Sequence, residues 1–257
     1  TIKASVTLSV KERSGFEIKK LITQFKLTPQ IMEFAQLSLK TNNSLIGPYY
    51  AMQYSSFKND FKNYIQKVTM KAHLANSLVS TDDIAYFTPT LDQIHQKVNL
   101  SFHFNGTVDE FEAKDLQAKY NRSSLKGSFS MHGIPNMRST QIKFTGVKAF
   151  SNYSDIANWL PILKQRKELK LSSLGDIQFI GNFQGTVYDF LTKGDISSSI
   201  GNVSTEIRLR FPLNKEPSYE GTLKTVHFNA GKLFDIKSLG LLNFNGMISG
   251  TSFNIDK

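Results

Sequence analysis

Along most of the chain, apolar and polar residues alternate one for one. Val6, Leu8 and Val10 take every second place in the opening segment, with Thr7 and Ser9 between them, which gives one extended strand two chemically different sides. The same period recurs at Val68, Met70, Ala72 and Leu74, at Val98, Leu100, Phe102 and Phe104, and at Val203, Thr205, Ile207, Leu209 and Phe211. Shorter runs surround Leu37 and Leu39, Phe129 and Met131, Ile142 and Phe144, and Ile177 and Phe179. One side is apolar and the other carries Lys, Ser, Thr, Asn or Gln, the pattern of antiparallel strands with a single solvated side. Helical periodicity is scarce. SSFKNDFKNYIQ, residues 55–66, sets Phe57, Phe61, Tyr64 and Ile65 on one face of two or three amphipathic turns. Thr81 or Asp82 is placed to cap a short turn through Tyr86, and Ser154 one through Trp159, with Pro89 and Pro161 ending them. The KQRKELK run at 164–170 fits either a helix end or an exposed loop.

The alternation is itself repeated. FNGTVDEF at 104–111 returns 79 positions later as FQGTVYDF at 183–190. Upstream, DIAYFTPTL at 83–91 matches DIANWLPIL at 155–163. DLQAKYNRSSLKG from Asp115 compares loosely with QLSLKTNNSLIG around Leu37, and with GDISSSIGN around Asp195. A fainter closing copy is NFNGMISGTSFNI at 243–255. The unit is therefore roughly 65 to 80 residues long, as in stacked repeat architectures. One continuous array over 1–257 is expected, with approximate repeats 1–111, 112–190 and 191–257. Glycine in a strand leaves room for a bend or a close backbone approach, so Gly106, Gly185 and Gly250 are expected at structural bends that recur with the repeat.

Many strands with a Phe-, Leu- and Val-rich face, and only about three short helices to cover it, leave two closures. Two sheets can pack as a sandwich. The repeat length and the small helical plugs instead favour a mainly β fold: an elongated, strongly curved, groove-like repeat sheet, an open β-solenoid. Its apolar trough is large enough to need a ligand.

Composition adds limits. The chain has no cysteine, so disulfide and thiol chemistry are excluded. Lys and Arg number 31 against 21 Asp and Glu, a formal charge of +10, which favours anionic partners. The cations are spread thinly and lie opposite the aromatics, so no nucleic-acid partner is expected. No apolar run approaches the roughly 20 residues of a spanning helix. The N-terminus has no signal-peptide layout and opens directly on alternation, so the sequence is expected to be an internal piece of a longer chain. His73, His95, His103, His132 and His227 are scattered, without the spacing of a zinc-binding helix. Neither a nucleophile elbow nor a phosphate loop occurs. No catalytic residue, metal or cofactor is expected.

SVKERSGFEIKKLITQFKLTPQIMEFAQLSLKTNNSLI, the two DIA-to-Pro turns, the two F-x-GTV segments and the closing GTLKTVHFNAGKLFDIKSLGLLNFNGMISGTSFNIDK together resemble the AsmA-like superfamily, and within it the large TamB proteins of Bacteroidota. The resemblance covers most of the chain, and that family's N-terminal membrane anchor and C-terminal domain are expected to lie outside this piece. It implies a periplasmic bridge anchored in the inner membrane and partnered with an outer-membrane Omp85-type barrel. Such a bridge either conducts phospholipid along a hydrophobic groove or serves as a scaffold for outer-membrane protein assembly. On the first reading, phospholipid acyl chains would lie against Val98, Leu100, Phe102, Phe104, Phe183, Val203, Ile207 and Leu209.

Overall fold

The computed structural model describes residues 1–13, 15–86, 91–136, 138–159, 169–212 and 215–252. Pro89, Pro161, residues 164–168 of the basic run and the last residues of the closing segment lie outside them. The alternating segments form fifteen strands. They are β1 (Ile2–Lys11), β2 (Glu17–Leu27), β3 (Ile31–Thr41), β4 (Leu45–Ile46), β5 (Pro48–Gln53), β6 (Thr69–Ser80), β7 (Lys97–Gly106) and β8 (Glu110–Tyr120), followed by β9 (Ser123–His132), β10 (Gln141–Asn152), β11 (Asp176–Gly185), β12 (Asp189–Ser198), β13 (Gly201–Arg210), β14 (Ser218–Asn229) and β15 (Leu241–Thr251). They belong to one antiparallel sheet in which hydrogen-bonded neighbours follow chain order, β5 lying off the main path between β3 and β6. The fold is thus mainly β, one large sheet with a few short helices, as the alternation predicts. Most paired strands are sequence neighbours, as antiparallel hairpin connections allow; the exceptions are β3 with β5 and β4 with β6.

The chain divides into two compact units, Thr1–Tyr120 with Ser130–Pro135, and Asn121–Phe129 with Asn136–Lys257. In the first unit, helices α1 (Phe57–Asp60) and α2 (Tyr64–Lys67) are joined by a 3-10 turn, and α3 (Thr81–Ala85) follows β6. The amphipathic segment is therefore broken rather than continuous. Its start is fixed reciprocally: Ser56 Oγ accepts the Asn59 N–H, while the Asp60 carboxylate accepts the N–H groups of Ser56 and Ser55 at 2.9 and 2.6 Å. Those two bonds hold the Asp60 carboxyl below the usual carboxylate range.

The second unit carries α4 (Tyr153–Trp159) and α5 (Ala230–Phe234). The caps differ from those expected: Ser80 Oγ, not Thr81 or Asp82, caps α3, and Asn152 Oδ1 accepts the Asp155 N–H at 3.0 Å where Ser154 was expected to act. With Asn229 capping α5, each of β6, β10 and β14 runs straight into a capped turn of helix.

Five strands share a feature that alternation hides. β3, β6, β8, β10 and β14 each contain a bulge with one residue in left-handed conformation: Gln36, Asn76, Asp115, Gly146 and His227. The next side chain turns inward and is buried in every case: Leu37, Ser77, Leu116, Val147 and Phe228. The extra residue restores the inward alternation after each bulge and sharpens local twist. Neighbouring strands supply polar atoms to the freed amides. Ser101 Oγ accepts from Asn76 N–H at 2.9 Å, Asn182 Oδ1 from Gly146 N–H at 2.9 Å, and Asn243 Oδ1 from His227 N–H at 2.8 Å.

Candidate binding faces

The repeated eight-residue phrase is a hairpin. Gly106 and Gly185 end β7 and β11, and the Thr-Val stretch after each is the turn, not strand interior. Thr107 and Thr186 close these turns. Thr107 N–H donates to Glu110 O and Thr186 N–H to Asp189 O, both at 2.8 Å, while each Thr hydroxyl accepts the returning amide. The glycines stand opposite Phe111 and Phe190, at φ values of +142° and +140°. A Cβ on either would lie 2.3 Å from a carbonyl oxygen of the facing strand. The two phenylalanines of each phrase pack over the bare glycine, with ring centroids 4.7 Å apart for Phe104 and Phe111 and 4.8 Å for Phe183 and Phe190. Gly250 follows the same rule from β15: it faces Tyr219, whose ring fills the space a Cβ would need.

A second repeated phrase, Asp-Ile-Ala, anchors the other end of the strands. The Asp83 carboxylate is buried and accepts the hydroxyls of Thr41 and Ser44 from the turn after β3. Asp155, 72 residues later, accepts Ser123 Oγ at 2.6 Å and the amides of Asn121 and Asn152 at 3.1 and 3.2 Å. Burial alone pushes the Asp155 carboxyl up, but these bonds and the Arg122 N–H outweigh it and hold it low. The corresponding turn after β14 does not carry the Asp-Ile-Ala phrase. There Ile200, Phe228 and Ala230 form an apolar cluster joined by Leu174, Leu233, Phe234 and Val203.

Between these ends, in the first unit, lies an apolar face on which the described strand residues carry no charge. Register sets Ala4, Phe25, Phe34, Tyr50, Ala72, Phe104 and Ala113 in one row from β1 to β8. Phe25 and Phe34 approach to 5.2 Å, and Phe34 and Tyr50 to 6.1 Å. The expected residues Val98, Leu100, Phe102 and Phe104 all point to this face and are half-buried, while Lys97, Asn99, His103 and Asn105 are exposed on the other. Helix α2 covers one end. Tyr64 Oη lies 3.7 and 3.3 Å from the sulfurs of Met52 and Met70 and 3.4 Å from Tyr50 Oη. Burial, reinforced by Tyr64, pushes the Tyr50 phenol well above its ordinary value, so it stays neutral. The β1 end of the face is exposed. Leu8 and Val10 on β1 remain 39% and 50% exposed, and Ile2, Leu27, Pro29, Tyr54 and Phe57 border an apolar notch of about 350 Å³.

The second unit presents the same chemistry. Phe183, Ile207 and Leu209 are half-buried on one side, with Phe129, Phe144, Phe183, Phe190 and Phe211 forming a chain of ring contacts of 4.8 to 6.5 Å. Val203 shares that side but packs against the Ile200 cluster. Gly181 and Gly194 face each other across β11 and β12, and the Phe179 ring lies flat over both, 2.6 and 2.7 Å from where their Cβ atoms would be. Glycine here thins the sheet so that a ring can lie on it.

The opposite side bears the charges, several of them paired: Arg208 grips Asp189 through two bonds of 2.7 Å, Arg210 meets Glu220 at 2.7 Å, and Lys193 meets Glu206 at 2.8 Å. A shallow depression of about 670 Å³ lies among them beside the Thr186 turn, away from most of the phenylalanine row. Alternation is imperfect here, since Ile180, Leu191 and Met247 are exposed among the polar residues.

Sequence reasoning found the apolar positions but missed the Met52–Tyr64–Met70 cover and the recurrent bulges. The only advance signal for the bulges was the preference of Asn, Asp and Gly for left-handed backbone. Compared with protein-family models, curated proteins and solved structures, the chain shows no significant match.

Proposed function

We propose that the chain is part of a periplasm-spanning bridge that holds phospholipid acyl chains on its apolar faces and conducts phospholipid between inner and outer membranes, supporting outer-membrane biogenesis beside an Omp85-type barrel. The observation that carries this reading is a charge-free face, half-buried and rich in aromatics, for which the described residues provide only short helices as cover. Each methylene laid on such a face gains about 0.8 kcal/mol, so a 16-carbon chain gains on the order of 10 kcal/mol before ordering costs. Similar rows in both units favour movement, because near-equal sites do not trap a lipid. The TamB-like sequence pattern points the same way and supplies the membranes and the barrel.

A second reading, a scaffold for assembling outer-membrane proteins, draws on the same apolar face, which would receive unfolded peptide in place of lipid. Solvent extraction and mass spectrometry of gently purified protein tests the choice. Phospholipid is expected in the wild-type extract and lost from Leu100→Lys and Ile207→Lys variants that retain their β circular dichroism. Lipid-free wild-type protein that captures an extended peptide contradicts the lipid reading and supports the scaffold.

A further inference from the structure

Strand register creates one pairing on the polar side of the first unit that no local stretch of sequence announces. His73 of β6 stands directly opposite His103 of β7, and their imidazoles stack with centroids 4.4 Å apart and planes 14° from parallel. The neighbouring strand adds a carboxylate. Asp115 is the left-handed residue of the β8 bulge, at φ +54°, and its Oδ2 lies 3.4 Å from His103 Nδ1. A carboxylate at that nitrogen favours the tautomer with the proton on Nδ1 and leaves the Nε2 lone pair outward. The surroundings are open: His103 is 57% exposed. Tyr49 on β5, opposite His73, directs its hydroxyl to Glu33 at 2.9 Å. Lys114, opposite His103, turns to Glu112 at 3.2 Å, and Lys71 lies two residues before His73 on the same side.

We propose that His73 and His103 form a two-imidazole site for a borderline divalent cation, Zn²⁺, Ni²⁺ or Cu²⁺, with Asp115 positioning His103 and the exposed His73 ring turning out of the stack on binding. The ring must turn because a metal lies in the plane of each ring it binds, and parallel rings cannot share one ion. Imidazole suits these ions, and affinity rises toward Cu²⁺. Among the described residues no three His, Asp or Glu side chains converge on a closed cage, so water completes the coordination and the site is an exchangeable one. The two ligands are 30 residues apart in sequence and adjacent only when β6 and β7 are in register. Bound metal therefore stabilises that pairing.

Calorimetric titration of the tag-free chain with ZnCl₂, paired with thermal unfolding, tests the site. One ion per chain and a melting temperature that climbs with Zn²⁺ are expected. His73→Gln and His103→Gln each lose the binding. Asp115→Asn, whose side chain tolerates the left-handed backbone, weakens it about 10- to 100-fold. His95→Gln, whose imidazole is held by Asp82 at 2.6 Å, changes nothing. Binding that survives both histidine substitutions, or wild-type protein that takes no Zn²⁺ at about 1 mM, overturns the assignment.

Discussion

Gly106 shows how little room one position has. A side chain there meets a left-handed φ of +142° and the Glu110 carbonyl oxygen at 2.3 Å, so neither a rotamer change nor a small shift relieves it. Gly106→Val is expected to cost about 2 to 4 kcal/mol, read as a lower denaturant midpoint; an unchanged midpoint contradicts the close-approach role. Asp155 makes a pH-dependent case. Its folded-state carboxyl is depressed by net hydrogen bonding, so its contribution is complete above the unfolded value of about 4 and fades as pH falls through the lower folded value. Asp155→Asn is therefore expected to cost about 2 to 3 kcal/mol near pH 7, and the gap to wild type should narrow at about pH 3. Equal gaps at both pH values would show that Asp155 acts through packing alone.

At the level of strands and turns, the repeated phrase was legible as a recurring glycine bend but not as the hairpin turn it makes, and the bulges were not legible at all. F-x-G-T-V-x-[DE]-F specifies two facing rings, a bare glycine and a threonine-closed turn, each through residue type at a fixed offset. The apolar side of β7 and β13 was legible for the same reason, since period two needs no knowledge of partners. Register was another matter. Gln36, Asn76, Asp115, Gly146 and His227 share a conformation but no side-chain chemistry, and the groups that cap the freed amides come from a different strand. The stacking of His73 on His103 was hidden likewise, because it depends on a bulge at Asn76 and on which strands adjoin. Asn182→Ala tests the capping role. It should accelerate hydrogen exchange at the Gly146 amide and cost about 1 kcal/mol; unaltered exchange there means that water or another group serves equally well.

Among the described residues, the same devices recur in both units: a glycine hairpin with two packed phenylalanines at one strand end, a capped helical turn at the other, and an uncharged face between. Such a face is expensive to leave in water unless something occupies it. Short helices such as α2 cover part of it, and acyl chains are the proposed occupant of the rest. The most direct measurement is site-specific photo-crosslinking in cells. A photoreactive residue at Phe102 or Ile207, on the apolar faces, is compared with one at Asn99 or Asn202, exposed on the opposite side. Phospholipid adducts at Phe102 and Ile207 and none at Asn99 and Asn202 are the predicted result. Lipid adducts equally frequent on both sides, or none at either apolar position, would contradict the account.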